Sequence, residues 1–320
     1  MLLIDRLLTA TEQGGLLRSE VAAGLSARQR RLPSRLLFDY RGIRLRQDMA
    51  RLPQFYSARC ESEILAARAG AIAGATGAVT LLELGPRSPE VSRMLVAGLA
   101  ATLQVYVPVE QSRAALVAGA AAIARHSPRL AIRALVADFA SELHLLPARG
   151  GRLIALLGGM FGGMAAGERS DVLRRLRDTM EWDDALLVGV DMVDDPQRLV
   201  AARTDEFGVN AAFTRNILHV VDREFVATFA PELFDPTVAW NPDLSQLELG
   251  LRARCGHRVD IDALDMTVEL AAGSEIRTET VATFGHGELE SEFTAVDLEI
   301  DRMWTDSRGD YALVLVRPPG

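Results

Sequence analysis

Five short runs of branched and leucine residues between positions 79 and 192 alternate with stretches of helical spacing. Strands are predicted at 79–84, 103–109, 133–136, 152–157 and 185–192, and helices at 89–100, 112–126 and 166–180. Strands that alternate with helices in this way form a parallel sheet with helices on its faces. We therefore predict an α/β fold whose ligands bind at the carboxyl ends of the strands, where the strand order reverses.

The pattern changes beyond this sheet. A helical stretch over 197–225 leads into segments of strand periodicity between 246 and 283, which predicts a second unit. Residues 1–30 carry apolar residues at roughly helical spacing, and the pair Gly14-Gly15 predicts a break between two short helices. The segment 303–316 alternates as one or two strands that can rejoin the first sheet.

The composition excludes several classes of protein. The chain has 35 basic and 43 acidic residues, a formal net charge of −8, and no basic stripe with interleaved aromatic residues, so nucleic acid is not expected as a partner. Its longest apolar run, 153–166, is shorter than the roughly 20 residues that span a membrane, and its N-terminus does not resemble a signal peptide. Cys60 and Cys255 lack metal-site spacing. We expect a cytoplasmic protein that binds a small molecule and no metal.

Acidic residues follow or end three successive predicted strands. The first strand ends in Glu83 and Gly85, the second in Glu110, and the third is followed by Asp138 and Phe139. Glycine lets the backbone approach a ligand, and a carboxylate at the second strand tip commonly binds both hydroxyls of a ribose. Each motif alone is typical of a plain turn, but together they indicate an adenosine-containing cofactor. Since no Gly-x-Gly-x-x-Gly is present to hold a pyrophosphate, we predict S-adenosylmethionine and not NAD.

Eight short motifs occur in order over about residues 30–318. They are Leu-Pro-Gln-Phe-Tyr (52–56), Glu-Leu-Gly (83–85), Tyr-Val-Pro-Val-Glu (106–110), Asp-Phe (138–139), Leu-Gly-Gly-Met-Phe-Gly (157–162), Phe-Thr-Arg-Asn (213–216), Ile-Arg-Thr-Glu (276–279) and Trp-Thr-Asp (304–306). This series resembles the histidine N-alpha-methyltransferases of the ergothioneine pathway. The resemblance implies a Rossmann-like class I methyltransferase domain at 60–196 plus 285–320. It also implies an α+β substrate-binding domain at 1–59 plus 197–284.

The resemblance also implies which residues bind S-adenosylmethionine. They are Tyr56, Gly85, Arg87, Glu110, Asp138, Phe139 and Gly158. Glu110 stands where the family has aspartate, which is one methylene shorter. The family's Gly-Ser-Gly-Thr-Ser-Glu-Lys becomes Gly-Pro-Arg-Ser-Pro-Glu-Val over 85–91, so the lysine that pairs with the cofactor's carboxylate is missing. Either Arg87 replaces that charge or the loop binds the cofactor differently.

The substrate positions depart further from the family. By resemblance they are Phe38, Gly163, Arg203, Phe213, Leu249, Glu279 and Val281, and Phe38 and Tyr56 also line the reacting groups. Gly163 and Arg203 replace the Asn and Tyr that grip the histidine carboxylate. Leu249 and Val281 replace Met and Ser beside the imidazole, Phe38 lacks a tyrosine hydroxyl, and Glu279 is retained. We therefore predict an N-methyltransferase for a small amine or an amino acid other than histidine.

The residues leave several alternatives open. Arg203 fits a surface ion pair with Asp205 or Glu206 equally well, and Glu279 alone is typical of an exposed strand residue. The aspartates within 191–195 favour a solvated loop over a metal site. Two other functions stay open, a non-catalytic ligand-binding relative and an enzyme that displaces the aminocarboxypropyl group of S-adenosylmethionine internally. We expect a monomer or a homodimer.

Overall fold

The chain folds into two compact units. The computed structural model describes residues 2–6, 10–86, 88–137, 142 and 150–320. The first unit comprises Met1–Thr9, Ser57–Asp194 and Thr283–Gly320, and the second comprises Ala10–Tyr56 and Asp195–Ala282. Each unit is therefore assembled from segments that are distant in the sequence.

One large sheet forms the centre of the first unit. Its strands are β1 (Leu2–Arg6), β3 (Thr80–Leu84), β4 (Val105–Glu110), β5 (Ala131–Val136), β6 (Arg152–Leu156), β7 (Ala185–Asp191), β13 (Glu299–Thr305) and β14 (Tyr311–Arg317). The strand order is β1-β5-β4-β3-β6-β7-β14-β13. Pairing is parallel from β1 to β7, while β14 is antiparallel to both of its neighbours. The predicted α/β fold and the return of the last segment to this sheet are confirmed.

The first unit contains helices as well as this sheet. In the described ranges they are α3 (Ser57–Thr76), α4 (Pro89–Gly98), α5 (Arg113–His126), α6 (Ala166–Thr179) and α9 (His286–Thr294). Ser88 caps α4 by accepting the Val91 N–H, and Ser112 caps α5 by accepting the Ala115 N–H, both at 3.4 Å. These caps fix the starts of α4 and α5 close to the ends of β3 and β4.

The strand order reverses between β3 and β6. From β3 the sheet extends through β4 to β5 on one side and through β6 to β7 on the other. Every residue of β6 and β7 is buried, as expected for parallel strands that are covered on both faces. The carboxyl ends of β3, β4 and β6 are therefore the ligand-binding position of this fold.

The second unit combines helices with a mixed sheet. Its helices are α1 (Ala10–Ser26), α2 (Tyr40–Met49), α7 (Pro196–Ala202) and α8 (Val209–Phe225), and its strands are β2 (Arg30–Arg31), β8 (Phe234–Asn241), β9 (Gln246–Ala253), β10 (His257–Ile261), β11 (Met266–Leu270) and β12 (Glu275–Ala282). The four-stranded sheet has the order β2-β12-β9-β8, and β10 and β11 form a separate hairpin. In the four-stranded sheet β12, β9 and β8 pair antiparallel, and β2 pairs parallel with β12.

The start of the chain differs from the sequence expectation. The first short helix predicted within residues 1–30 is wrong, because Leu2–Arg6 pairs along its whole length with β5 as a parallel strand. This strand lies in the first unit and not with the substrate-binding segment 1–59. Gly14 and Gly15 do not break a helix, since α1 runs through both.

The second unit also contains elements that the sequence did not predict. The helical stretch 197–225 is two helices, because Gly208 adopts a left-handed φ of 73° directly before α8. The strands β8 and β10 lie outside every predicted strand. β8 contains Pro236, and most of its side chains are half-exposed, so its sequence lacks the apolar alternation that predicts a strand.

Candidate functional site

The turn after β3 is tied to the neighbouring strand β4. Gly85 is buried and has a φ of 60°, a left-handed conformation that other residues adopt only at an energetic cost. Its N–H donates to the carbonyl oxygen of Val109 at 2.8 Å. The predicted glycine thus lies at the strand tip, where no side chain stands between its backbone and a ligand.

Glu110 is the last residue of β4. Its Oε1 accepts hydrogen bonds from the N–H of Gln111 at 2.8 Å and of Ser112 at 3.1 Å, and the residue is partly exposed. These two bonds hold the carboxylate in one orientation at the tip of the strand. A carboxylate held in this way can accept hydrogen bonds from the neighbouring hydroxyls of a ribose.

The turn after β6 contains two more glycines in the left-handed region. Gly158 and Gly159 have φ values of 69° and 74°. The Gly158 N–H donates to Oε1 of Glu61 at 2.8 Å, and the hydroxyl of Tyr311 donates to the same oxygen at 3.0 Å. Glu61 belongs to α3 and Tyr311 to β14, and both are buried. Sequence reasoning missed these two residues, because they lie 250 positions apart and no local motif connects them.

Glu83 is a buried carboxyl group two residues before Gly85. Ser92 Oγ donates to its Oε1 at 2.8 Å, and Tyr106 Oη donates to its Oε2 at 2.6 Å. Burial raises the pKa of Glu83 to about 7, the two hydrogen bonds oppose this increase, and nearby Glu61 adds to it. Glu83 therefore links β3 to α4 and β4 and changes protonation near neutral pH.

The described residues at these strand tips fit S-adenosylmethionine. Gly85 and Gly158 present bare backbone where the strand order reverses, and Glu110 presents an oriented carboxylate. No tight glycine-rich pyrophosphate loop is needed for a nucleoside that carries no pyrophosphate. Three other predicted cofactor residues lie outside the described residues: Arg87, Asp138 and Phe139.

The Leu-Pro-Gln-Phe-Tyr motif ends in two buried aromatic residues of the second unit. Tyr56 is buried, and the guanidinium carbon of Arg198 lies 5.9 Å from its ring centroid. Phe55 is also buried, with the guanidinium carbons of Arg46 and Arg203 at 4.5 Å and 4.8 Å from its centroid. These distances are typical of cation–π contacts. The motif therefore collects three guanidinium groups around two rings.

Arg203 has an open hydrogen-bond donor. The residue is 8% exposed, and its buried Nη1 has no hydrogen-bond partner in the part of the chain that the structure describes. Asp205, its alternative partner from the sequence, instead accepts the N–H groups of Val209 and Asn210, both at 2.8 Å. The surface ion pair is therefore the wrong interpretation of Arg203. A buried donor nitrogen of a cation without a hydrogen-bond partner is unfavourable, so this position favours an anionic ligand.

Phe38 and Phe213 form an aromatic pair in the second unit. Their ring centroids are 5.6 Å apart in an edge-to-face arrangement. Asp39, next to Phe38, caps α2 by accepting the Gly42 N–H at 2.8 Å and also accepts Nδ2 of Asn216 at 2.7 Å. These bonds fix the segment that carries Phe38 to helix α8, which carries Phe213.

Leu249, Glu279 and Val281 share one face of the four-stranded sheet. Glu279 pairs with Leu249 across β12 and β9, and Val281 pairs with Leu247. Because strand side chains alternate, residues 279 and 281 point to the same side. Leu249 and Val281 are buried, whereas Glu279 is partly exposed beside a register shift. This face presents a carboxylate among apolar side chains.

The remaining residues named in the sequence analysis are Gly163 and the aspartates at 191 and 195, and they form hydrogen bonds within their own loops. The Gly163 N–H donates to the carbonyl oxygen of Gly159 at 3.1 Å. Asp191 Oδ1 accepts the Val193 N–H at 3.1 Å, and Asp195 caps α7. Within the described ranges, no group of three or more potential metal ligands occurs, and no helix is long and apolar enough to cross a bilayer.

Comparison with known proteins identifies the family. Residues 17–318 match the model of the histidine-specific, S-adenosylmethionine-dependent methyltransferases. The chain belongs to this family. It is accordingly an S-adenosylmethionine-dependent methyltransferase, as the strand-tip residues and the series of motifs predict.

Two curated relatives are similar along nearly their whole length. The histidine N-alpha-methyltransferase of Mycolicibacterium smegmatis is 38% identical over 310 residues, which cover 96% of this chain and 97% of the relative. The enzyme of the same name from Mycobacterium tuberculosis is 38% identical over 301 residues, 93% of this chain and 94% of the relative. Among solved structures, the CcbJ methyltransferase from Streptomyces caelestis is 13% identical, with a TM-score of 0.43 over 80% of this chain and 96% of that chain.

Proposed function

We propose that this enzyme methylates the amine nitrogen of a small amine or amino acid other than histidine, and that its substrate carries a carboxylate. The observation that carries the proposal is Arg203, whose buried Nη1 has no hydrogen-bond partner among the described residues. A guanidinium group binds a carboxylate through charge-assisted and often bidentate hydrogen bonds. S-adenosylmethionine supplies an electrophilic methyl group on its sulfonium centre.

The sheet face around Glu279 argues against histidine as the preferred substrate. A neutral imidazole has one N–H donor and one acceptor nitrogen. Glu279 can accept from the N–H, but Leu249 and Val281 have no donor for the second nitrogen. A buried polar atom left unpaired costs about 1–3 kcal/mol, or about 5- to 150-fold in affinity. This supports a substrate whose side group is apolar or has a single donor.

The proposed roles of the two units follow from their residues. The first unit would hold the cofactor at Gly85, Glu110 and Gly158 and also carries Gly163, and the second carries Tyr56 and the other proposed substrate residues. Transfer to a neutral amine needs positioning in a pocket with little water more than it needs a strong base, so aromatic residues such as Phe38 and Phe213 suit the site. Free thiols at both cysteines are consistent with the proposed cytoplasmic location.

The test begins with isothermal titration of S-adenosylmethionine and S-adenosylhomocysteine. The enzyme is then incubated with S-adenosylmethionine and each of the twenty proteinogenic amino acids or its decarboxylated amine, and products are identified by mass. Since the family and both curated relatives are named for histidine, histidine is the reference. We expect another amino acid to exceed its kcat/KM by about tenfold or more.

Other outcomes of this experiment are equally informative. Histidine as the best substrate would contradict the proposed specificity. Methylthioadenosine formed without an acceptor would support internal displacement of the aminocarboxypropyl group. Cofactor binding without any methylated product would support the non-catalytic alternative.

A pair of variants isolates the role of the sheet face. Val281→Ser should raise kcat/KM for histidine by about 3- to 10-fold, because a hydroxyl can donate to the second imidazole nitrogen. Ala282→Ser adds the same hydroxyl to the opposite face of β12 and should leave the ratio of histidine to other amino acids unchanged. An equal response of the two variants would show that this face does not contact the substrate.

A further inference from the structure

Asn210 is a buried amide in the first turn of α8. It is 6% exposed, and its Nδ2 donates to Oδ2 of Asp205 at 2.7 Å. Burial acts to raise the pKa of Asp205, but hydrogen bonds from Asn210 and Val209 outweigh it and lower that pKa. Asp205 is therefore ionised and can only accept. The orientation of the Asn210 amide follows, because a flipped amide would place Oδ1 against a carboxylate oxygen.

The other side of this amide is an open acceptor. Oδ1 of Asn210 is buried and has no hydrogen-bond partner within the described ranges. Buried side-chain oxygens in folded proteins nearly always accept a hydrogen bond, so this oxygen is an acceptor that a donating ligand or a water molecule can use. The donor must come from a group small enough to reach a buried atom, and an N–H is such a group.

The surroundings of Asn210 indicate which N–H this is. Asn210 precedes Phe213 by three residues on α8, so both lie on one face of the helix, and Phe213 contacts Phe38. Neither ring has an acceptor for an amine. At the other end of the loop 204–208 lies Arg203, with its open donor. This short segment therefore offers a donor for an anion at one end and an acceptor for an N–H at the other.

We propose that Asn210 is a substrate-binding residue whose Oδ1 accepts a hydrogen bond from the methyl-accepting amine. This inference rests on the proposed function and specifies how the amine is oriented. The neutral nitrogen uses its lone pair to form the new N–C bond while the methyl–sulfur bond breaks, its electron pair stays on sulfur, and one N–H proton leaves to water. An N–H held by Asn210 directs the lone pair away from α8.

The experiment measures KM for the amino acid with the highest kcat/KM in the panel described above. Asn210→Leu has similar volume but lacks both the Oδ1 acceptor and the Nδ2 donor to Asp205. Loss of the acceptor should raise this KM by about 3- to 15-fold, the value of one hydrogen bond. Asn210→Ser retains an oxygen and should restore part of the affinity. Thr214→Val is the matched control, since Thr214 is buried one turn later on α8 and its hydroxyl donates to the Asn210 carbonyl.

A second readout separates recognition of the amine from support of α8. The N,N,N-trimethyl form of the same amino acid has no N–H, so its inhibition constant should be equal in the parent enzyme and in Asn210→Leu. The proposal is overturned if Asn210→Leu and Thr214→Val change KM equally. It is also overturned if Asn210→Leu weakens inhibition by the trimethyl form as much as it raises KM for the parent amino acid. A third contradicting result is that S-adenosylhomocysteine binds but no amino acid is methylated. Failure of S-adenosylhomocysteine to bind would instead overturn the proposed function itself.

Discussion

Two pairs of buried polar side chains, one pair in each unit of this methyltransferase, differ in their hydrogen bonding. In the first unit, Glu61 and Glu83 each accept a hydrogen bond from a tyrosine hydroxyl and another from a second donor. In the second unit, Arg203 and Asn210 are also buried, yet one polar atom of each lacks a hydrogen-bond partner among the residues described. The protein itself satisfies the carboxylates beside the glycine turns, whereas Arg203 and Asn210 of the second unit keep a donor and an acceptor that a ligand can use.

This difference agrees with where the chain departs from its family. By resemblance to the family, the cofactor positions Gly85 and Glu110 of the first unit keep their chemical type, although the loop after Gly85 loses the family's lysine, while the substrate positions Arg203 and Val281 of the second unit do not. A shared cofactor requires a constant site, and the different substrate that we propose would require a changed one. If the units have these separate roles, substitutions in each unit should change different measured quantities.

The largest expected effect concerns the buried carboxyl of Glu83. Its pKa is raised to about 7, so the folded protein retains a proton that the unfolded chain releases near pH 4.5. The stability that this group contributes is complete below pH 4.5 and is lost as the pH rises to about 7, by about 3 kcal/mol. Glu83→Gln should remove this dependence, which chemical denaturation between pH 4 and 8 measures.

Asp222 in the second unit provides the matched comparison. Burial raises its pKa to about 6, although the N–H of Phe229 opposes the increase. Asp222→Asn should therefore remove a smaller pH dependence of the free energy of unfolding, one that ends near pH 6. If the free-energy difference between the parent and Glu83→Gln is constant with pH, the raised pKa of Glu83 is wrong.

The next effect tests the cofactor role of the first unit. Glu110→Ala should raise the Kd of S-adenosylhomocysteine by about 100-fold, because two hydrogen bonds from hydroxyls to a charged oxygen are lost. Isothermal titration measures this value. Glu290→Ala removes an exposed carboxylate of α9 in the same unit and should not change it. An unchanged Kd for Glu110→Ala would place the ribose elsewhere.

A smaller effect tests the substrate role of the second unit. Arg203→Met should lower kcat/KM for the best amino acid by about 30-fold, while the Kd of S-adenosylhomocysteine stays within about twofold. The melting temperature should stay equal or rise, because the variant removes a buried charge and keeps apolar packing on Phe55. A fall in melting temperature together with activity would indicate that Arg203 has a structural role.

The smallest effect concerns stability in α1. Gly15→Ala should raise the free energy of unfolding by about 0.5–1 kcal/mol, since Gly15 is helical and a Cβ there would meet no atom within 4 Å. Gly24→Ala in the same helix should lower it, because its Cβ would lie 2.4 Å from the Arg31 carbonyl oxygen. Thermal denaturation compares the two. Stabilisation by both would contradict the packing of α1 against β2.

The central sheet was predictable from the sequence and the edge elements were not. Strands such as β6 and β7 are continuous apolar runs, because helices cover both faces of a parallel sheet. β1 is five residues at the sheet edge, and its leucines fit helical and strand spacing equally. Tertiary pairing with β5, which no local pattern encodes, decides its structure.

The residues of the candidate site also differ in whether local sequence predicts them. Gly85 and Glu110 were predictable because a strand tip is a local feature that carries its own sequence signal. The burial of Arg203 was not, since the neighbouring Asp205 offered an ion pair that would have left it at the surface. Asn210 escaped prediction because an amide at a helix start is common, and its significance depends on one oxygen that the fold leaves without a partner.

The shared oxygen of Glu61 also has a consequence for the order in which the protein is made. The ribosome completes the turn at Gly158 long before it reaches Tyr311, whose hydroxyl donates to the same carboxylate. During translation the nascent chain therefore carries this glycine turn with one of its two anchors missing. A protein shortened by its last ten residues would lose the whole of β14, and with it the phenol that donates to the carboxylate holding the Gly158 turn.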